Sequence, residues 1–318
     1  MRIITFSAFI FLVTCLFSPI KATFANDWGI EEQPMERGDC DSIILHYDGK
    51  TWNHIYHESN VWLNDIYGFN DNNIFTVGDK GIILHYDGKS WTRQESHVAH
   101  NLTSVWGSSP RNVYVLGDYG TILHYNGAEW ELQTLGITYY LSSIWGFSEE
   151  HIFVVGSLGK ILHYNGKTWY EYGSGTTNWL YGIRGNSKAD IYAVGVYGTI
   201  IHHNGKGWGK PVHVTNKRLI GIWGTNSKNM FVVGADGLVF HYDGIKWTRQ
   251  ISNTTNWLRK IWGIDNTVFA IGDYGTIIRY DGKTWKNTEG ITNFQLLGIW
   301  GNRKDNIYVV GSNPEGRY

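Results

Sequence analysis

A single period governs this chain. The Trp-Gly pair in the stretch Leu102 to Thr134 (LTSVWGSSPRNVYVLGDYGTILHYNGAEWELQT) recurs as Tyr67-Gly68, Trp106-Gly107, Trp145-Gly146, Arg184-Gly185, Trp223-Gly224, Trp262-Gly263 and Trp300-Gly301, at steps of 39, 39, 39, 39, 39 and 38 residues. A second glycine keeps the same beat at Gly78, Gly117, Gly156, Gly195, Gly234, Gly272 and Gly311. So does a Trp at Trp52, Trp91, Trp130, Trp169, Trp208, Trp247 and Trp285. Self-similarity at such a period marks a repeat architecture in which each unit buries its apolar faces against its neighbours.

Within a unit, Val113 to Leu116 and Thr121 to Tyr125 are short β-branched and aromatic runs bounded by turn residues, the signature of strands in hairpins. An Asp-Gly or Asn-Gly pair follows at Asp48, Asp87, Asn126, Asn165, Asn204, Asp243 and Asp281, where it is expected to form two-residue type I′ turns. Each unit therefore reads as a four-stranded antiparallel meander. Its middle strands are apolar on both faces, so each sheet must be covered on both sides by like sheets, which a ring of blades achieves. Ile43 to Tyr56 carries only the third and fourth strands of a unit, and Leu296 to Gly311 only the first and second. Paired, the two halves make a composite blade that closes the ring and removes two sheet edges. The expected fold is all-β: a seven-bladed β-propeller over residues 43–318, one domain of about 275 residues.

Residues 1–25 have a different composition. Arg2, an apolar run from Ile3 to Phe17, and Thr23-Phe24-Ala25 before Asn26 read as a secretory signal peptide, with 26–42 as linker, so the mature protein is expected to be secreted or periplasmic and without a membrane span. Lipidation at Cys15, within Leu12-Val13-Thr14-Cys15, is the rival reading. Cleavage after Ala25 leaves Cys40 as the one cysteine, which excludes an internal disulfide. It also removes Arg2 and Lys21 from 27 basic residues, leaving 25 against 28 acidic ones, a formal charge of −3 with no long run of either sign. That balance argues against general nucleic-acid binding. A monomer is expected.

One histidine per blade, His46, His85, His124, His163, His202 and His241, with Arg279 in the seventh place, invites a metal ring. With strands about 4.8 Å apart, these third-strand residues lie about 15 Å from the axis and neighbouring copies more than about 10 Å from each other. Metal ligands sit within about 2 Å of one ion. The histidines are instead expected to hold a neighbouring loop, and no metal or cofactor is expected. No G-x-S-x-G elbow, H-E-x-x-H or phosphate-cradling glycine loop is present, and only Asp65 occupies an inner-strand position from which an acid could reach the axis, one short of the pair glycoside hydrolysis needs.

Function is sought where the repeats differ. The residue before the first strand runs Trp62, Asn101, Tyr140, Trp179, Arg218, Trp257 and Gln295, an aromatic-rich ring at the channel mouth, and the turns between strands two and three add Tyr119, Tyr197 and Tyr274 on the same face. Aromatics beside amides suit sugar stacking or a protein hot spot; packing of blade on blade is the alternative. Arg184 replaces the repeat's Trp in blade four and, with Lys217, Arg218, Arg259 and Lys260, brings positive charge to blades four to six, which suits an anionic ligand or acidic partner; ordinary solvated charge is the alternative.

The pattern L-x-x-I-W-G, V-Y-V-V-G, D-x-G-T-I-x-H-Y-D-G-K-T-W resembles the WG-type propeller repeats of exported bacterial proteins, over residues 43–318. More distantly, it is similar to the repeats of the photosystem II assembly factor family and of Asp-box, sialidase-type propellers. An Asp-box has Ser or Thr two before its Asp and one residue between Asp and Gly, whereas this chain has His there and contiguous Asp-Gly or Asn-Gly. Sialidase activity does not carry over, since nothing matches an arginine triad with a tyrosine nucleophile. The assembly-factor resemblance implies a propeller that holds a protein partner through a basic patch, with Arg184, Arg218 and Arg259 the nearest candidates. The expectation is a non-catalytic recognition module for a glycan or a protein; a glycan-active enzyme with its site at the channel mouth is the runner-up, and would need a second carboxylate beside Asp65.

Overall fold

The computed structural model describes residues 40–288 and 290–314. The leader expected over 1–25, the lipidation site at Cys15 and most of the linker lie outside them. Seven antiparallel sheets of four strands each are formed, without an α-helix among the described residues. In blade two the strands are Leu102–Ser109, Asn112–Gly117, Ile122–Tyr125 and Trp130–Leu132, hydrogen-bonded in that order. The first strand of every blade lies beside the first strands of both neighbouring blades, and Gln295–Arg303 returns to Leu63–Asn70 to complete the circle. This is the expected seven-bladed propeller.

Closure follows the expected composite. Cys40–Tyr47 and Trp52–Ser59, from the beginning of the described chain, form one sheet with Gln295–Arg303 and Asn306–Pro314 from its end. Cys40–Tyr47 pairs along its length from Tyr47 opposite Ile307 to Cys40 opposite Pro314. It is eight residues long where the third strand of blade one, Ile83–Tyr86, has four, so the seam carries the longest third strand in the ring. The ladder starts at Cys40, three residues inside the stretch expected to be linker.

Burial on both faces of the middle strands produces the core. Val113, Tyr114, Val115 and Leu116 are all buried, and the apolar clusters lie between blades. One joins Phe75, Val77 and Ile83 of blade one to Leu102, Val105, Val113 and Val115 of blade two. The turns between strands two and three are type I′ hairpins: Tyr119 (φ 56°) and Gly120 (φ 72°) are both left-handed, closed by the Thr121 amide donating to the Asp118 carbonyl at 3.2 Å.

The Asp-Gly and Asn-Gly turns differ from expectation. Gly49 has φ 93°, but Asp48 is not left-handed. The Asp48 carboxylate instead accepts the Lys50 and Thr51 amides at 2.9 and 2.8 Å, an Asx turn that a short acceptor side chain stabilises locally. Those two bonds hold the Asp48 pKa down at about 2. Blade four departs too. Trp208, expected to open its fourth strand, makes only an isolated bridge to His203, and the strand is Val212–His213, because Gly209 and Pro211 interrupt the ladder.

The blade histidines contact their own blade and not a neighbouring loop, although His85 does so by stacking on Phe75 at 4.4 Å, its Nε2 having no hydrogen-bond partner among the described residues. His124 stacks on Tyr114 at 4.4 Å and its Nε2 lies 2.6 Å from Asn112 Oδ1 at the start of the second strand. His202 and His241 make the same bond to Asp190 and Asn229, both at 2.8 Å. The antiparallel register decides this: it brings the third-strand histidine alongside the second strand's first residues, 12 positions earlier in sequence.

Candidate binding face

The expected ring and the I′ turns are tied together by backbone. The amide that opens each turn donates to the carbonyl of the residue before the first strand: Asp118 to Asn101 at 2.9 Å, Ser157 to Tyr140 at 2.9 Å, Val196 to Trp179 at 3.0 Å, Ala235 to Arg218 at 3.0 Å and Asp273 to Trp257 at 3.0 Å. Both sets therefore stand on one face, the upper face below.

On blades two to four this face carries a continuous aromatic ridge. Tyr119 lies 5.8 Å from Tyr140, Tyr140 stacks at 5.8 Å on Trp179, and Trp179 stacks at 5.5 Å on Tyr181. The Trp179 indole N–H donates to Ser142 Oγ at 2.7 Å, which fixes the ring's orientation. Tyr119 is 56% exposed, and the other three are half-buried. Partial burial, with the neighbouring Tyr119 second, raises the Tyr140 pKa and keeps its hydroxyl protonated. Tyr181 was not identified from the sequence. Its signal is an aromatic at the second position of a first strand, next to the substituted position of the same blade.

Blades five and six present a different surface. Two guanidinium groups approach the Trp257 ring, Arg218 at 5.9 Å and Arg259 at 4.9 Å from its centroid. Arg259 forms a two-pronged bond with Asp273, Nε to Oδ1 at 2.8 Å and Nη2 to Oδ2 at 3.0 Å. Tyr274, 61% exposed, stands next to it in the turn. Tyr197, 44% exposed, projects from the corresponding turn of blade four.

Two groups of expectations are corrected. Trp62 is only 7% exposed, so it packs within the protein and presents no binding surface. The basic patch is also largely neutralised, Arg218 being the member on this face that keeps no carboxylate partner among the described residues. Lys260 Nζ lies 3.0 Å from Asp65 Oδ1, which is nearly fully buried, Lys217 pairs with Asp236, and Arg259 is held by Asp273. Arg184 is not on the face at all: it lies deeper along its strand with its guanidinium over the Trp145 ring, 3.7 Å from the centroid. The carboxylates that neutralise Lys217, Arg259 and Lys260 lie too far away in sequence to be associated with them. Asp65 further accepts the Ser104 hydroxyl at 2.9 Å and the Val105 amide at 3.2 Å. It therefore faces an ammonium and two neutral donors, an environment unlike the carboxylate pair that glycoside hydrolysis uses. Among the described residues, no group of three or more His, Cys, Asp or Glu side chains is arranged to hold a metal ion.

No protein-family model matches the chain, and no curated protein does. Solved structures do. YCF48 from Cyanidioschyzon merolae superposes with a TM-score of 0.63 at 16% identity, over 78% of this chain and 95% of that one. The fold is shared with YCF48. A structure of YCF48 bound to D1 peptide gives a TM-score of 0.65 at 14% identity, over 79% and 93% of the two chains. YCF48 is a seven-bladed propeller, in keeping with the distant likeness to photosystem II assembly factors read from the repeats.

Proposed function

We propose that this protein is a protein-binding scaffold whose upper face holds an extended segment of a partner along the ridge of Tyr119, Tyr140, Trp179 and Tyr181. The observation that carries this reading is the ridge itself, four aromatic rings in unbroken contact across three blades. A second observation supports it. Tyr119, Tyr197 and Tyr274 occupy left-handed backbone positions, where a side chain costs roughly 1–2 kcal/mol relative to glycine. The same turn position carries Lys80, Leu158 and Asp236 in the other blades, so the backbone does not call for an aromatic there, and the three tyrosines are 56%, 44% and 61% exposed. The structure of YCF48 with a bound D1 peptide shows that this architecture can present a peptide site.

Because Lys217, Arg259 and Lys260 are already paired with carboxylates and Arg218 lies against the Trp257 ring, recognition here rests mainly on stacking and apolar contact, with little dependence on salt. A displayed random-peptide library panned on the purified protein tests the reading. Selected peptides are expected to bind with affinity that changes less than about threefold between low and high salt, and Trp179→Ala and Tyr140→Ala should each weaken binding about 30-fold, as truncation of an aromatic hot spot does. Run in parallel, a glycan array distinguishes the glycan reading that the stacked Tyr140 and Trp179 rings also suit. Glycan binding lost in Trp179→Ala, with no selected peptide, overturns the proposal in favour of a lectin.

A further inference from the structure

The Trp of each Trp-Gly pair ordinarily lies across the glycine of the next blade: Trp300 covers Gly68, Trp106 covers Gly146, Trp223 covers Gly263 and Trp262 covers Gly301. Blades one, three and four break the rule. In blades one and three a phenylalanine two residues further on, Phe69 and Phe147, covers Gly107 and Gly185 instead, and Met230 fills the place beside Gly224 that blade four leaves open. Tyr67, Trp145 and Arg184 are thereby released from covering duty.

Arg184 and Trp145 stack on each other, while Tyr67 rests against Phe69 and Trp106. The Arg184 guanidinium lies 3.7 Å from the Trp145 ring centroid, and its charge acts on Tyr67, which belongs to the blade facing it across a seven-blade circle. Arg184 stands five residues beyond Trp179 along the strand, so about 16 Å below the upper face. Deep burial lowers its pKa to about 10, which leaves it charged at neutral pH, while part of its surface remains open to solvent.

Its neighbours supply protons, not negative charge. Arg184 Nε and Trp145 Nε1 are both buried without a hydrogen-bond partner among the described residues, and a guanidinium and an indole N–H can only donate. Every other charged residue on a first strand has an opposite partner: Asp65 with Lys260, Arg259 with Asp273, and Arg303 with Asp71 and Asp305. Arg184 is the one charged first-strand residue without a carboxylate partner among the described residues. An uncompensated charge amid unused donors is a costly arrangement that a bound counter-ion relieves.

We propose that the lower central channel is a binding site for a small monovalent anion, held by the Arg184 and Trp145 N–H groups beside Tyr67. The site is separate from the peptide-binding reading and does not depend on it.

Crystals soaked in sodium bromide and measured at the bromine edge test this, with formate as the competing carboxylate. The expected result is an anomalous peak within hydrogen-bond reach of Arg184 Nε, reduced several-fold by formate. It should disappear in Arg184→Trp, which restores the residue this position carries in five of the seven repeats. Trp145→Phe, which keeps the ring and removes the N–H, should weaken the peak at least threefold and checks the site should Arg184→Trp fail to fold. A wild-type map with no peak at Arg184, or one unchanged in these variants, overturns the proposal.

Discussion

His163 shows how a residue repeated for structural reasons acquires a measurable property. It stacks on Phe153 at 4.3 Å, and burial, reinforced by His151 and His203, lowers its pKa to about 4. The unfolded chain, with a histidine pKa of about 6.5, takes up a proton that the folded protein refuses. The stability this contributes is therefore complete above about pH 6.5 and lost as pH falls from there to about 4. His85, His124, His203 and His241 shift the same way, also chiefly by burial. Urea midpoints measured against pH should fall across that window, and His163→Phe should flatten part of the fall; an unchanged slope would contradict the burial of this ring. Asp48 works in a separate, more acid window, losing its contribution between about pH 4 and 2. The sequence identified the histidines as structural from their spacing. It misplaced their partner because the register joining His124 to Asn112 emerges only once the hairpin is built.

At the scale of the element, the Trp-Gly pair is the joint between blades. A Cβ on Gly263 would stand 2.8 Å from the Trp223 ring and 2.7 Å from the Thr267 carbonyl oxygen, closer than atoms can approach. Gly263→Ala should therefore cost about 1–3 kcal/mol by overpacking. Gly173, with nothing within 4 Å of such a Cβ, provides the control, and Gly173→Ala should shift the chemical-denaturation midpoint little. Equal effects at the two positions would remove the Trp-Gly joint from the account. The pair was the plainest mark in the sequence, but its reason was hidden, because the Trp that covers a glycine comes from the preceding repeat. The exposed turn tyrosines could be read from strand spacing. The pairing of Arg259 with Asp273, and of Lys260 with Asp65, could not, since Asp65 and Lys260 are separated by most of the circle in sequence and meet only because the ring closes.

At the scale of the whole molecule, closure turns a string of weak sheets into a platform with two unlike faces. The long seam between Cys40–Tyr47 and Asn306–Pro314 completes the composite blade that stands between blade six and blade one, and the aromatic ridge lies on the rim of one face. The turns between third and fourth strands open on the other, where Ile245 is 86% exposed. A partner segment is expected on the face of Tyr119, Tyr140 and Trp179. Replacing Tyr119, or Ile245 as the opposite-face control, with a photo-crosslinking phenylalanine analogue and irradiating each with the selected peptide tests it most directly. A covalent adduct is expected from position 119 and none from position 245; an adduct from position 245 alone, or equally from both, would place the partner elsewhere.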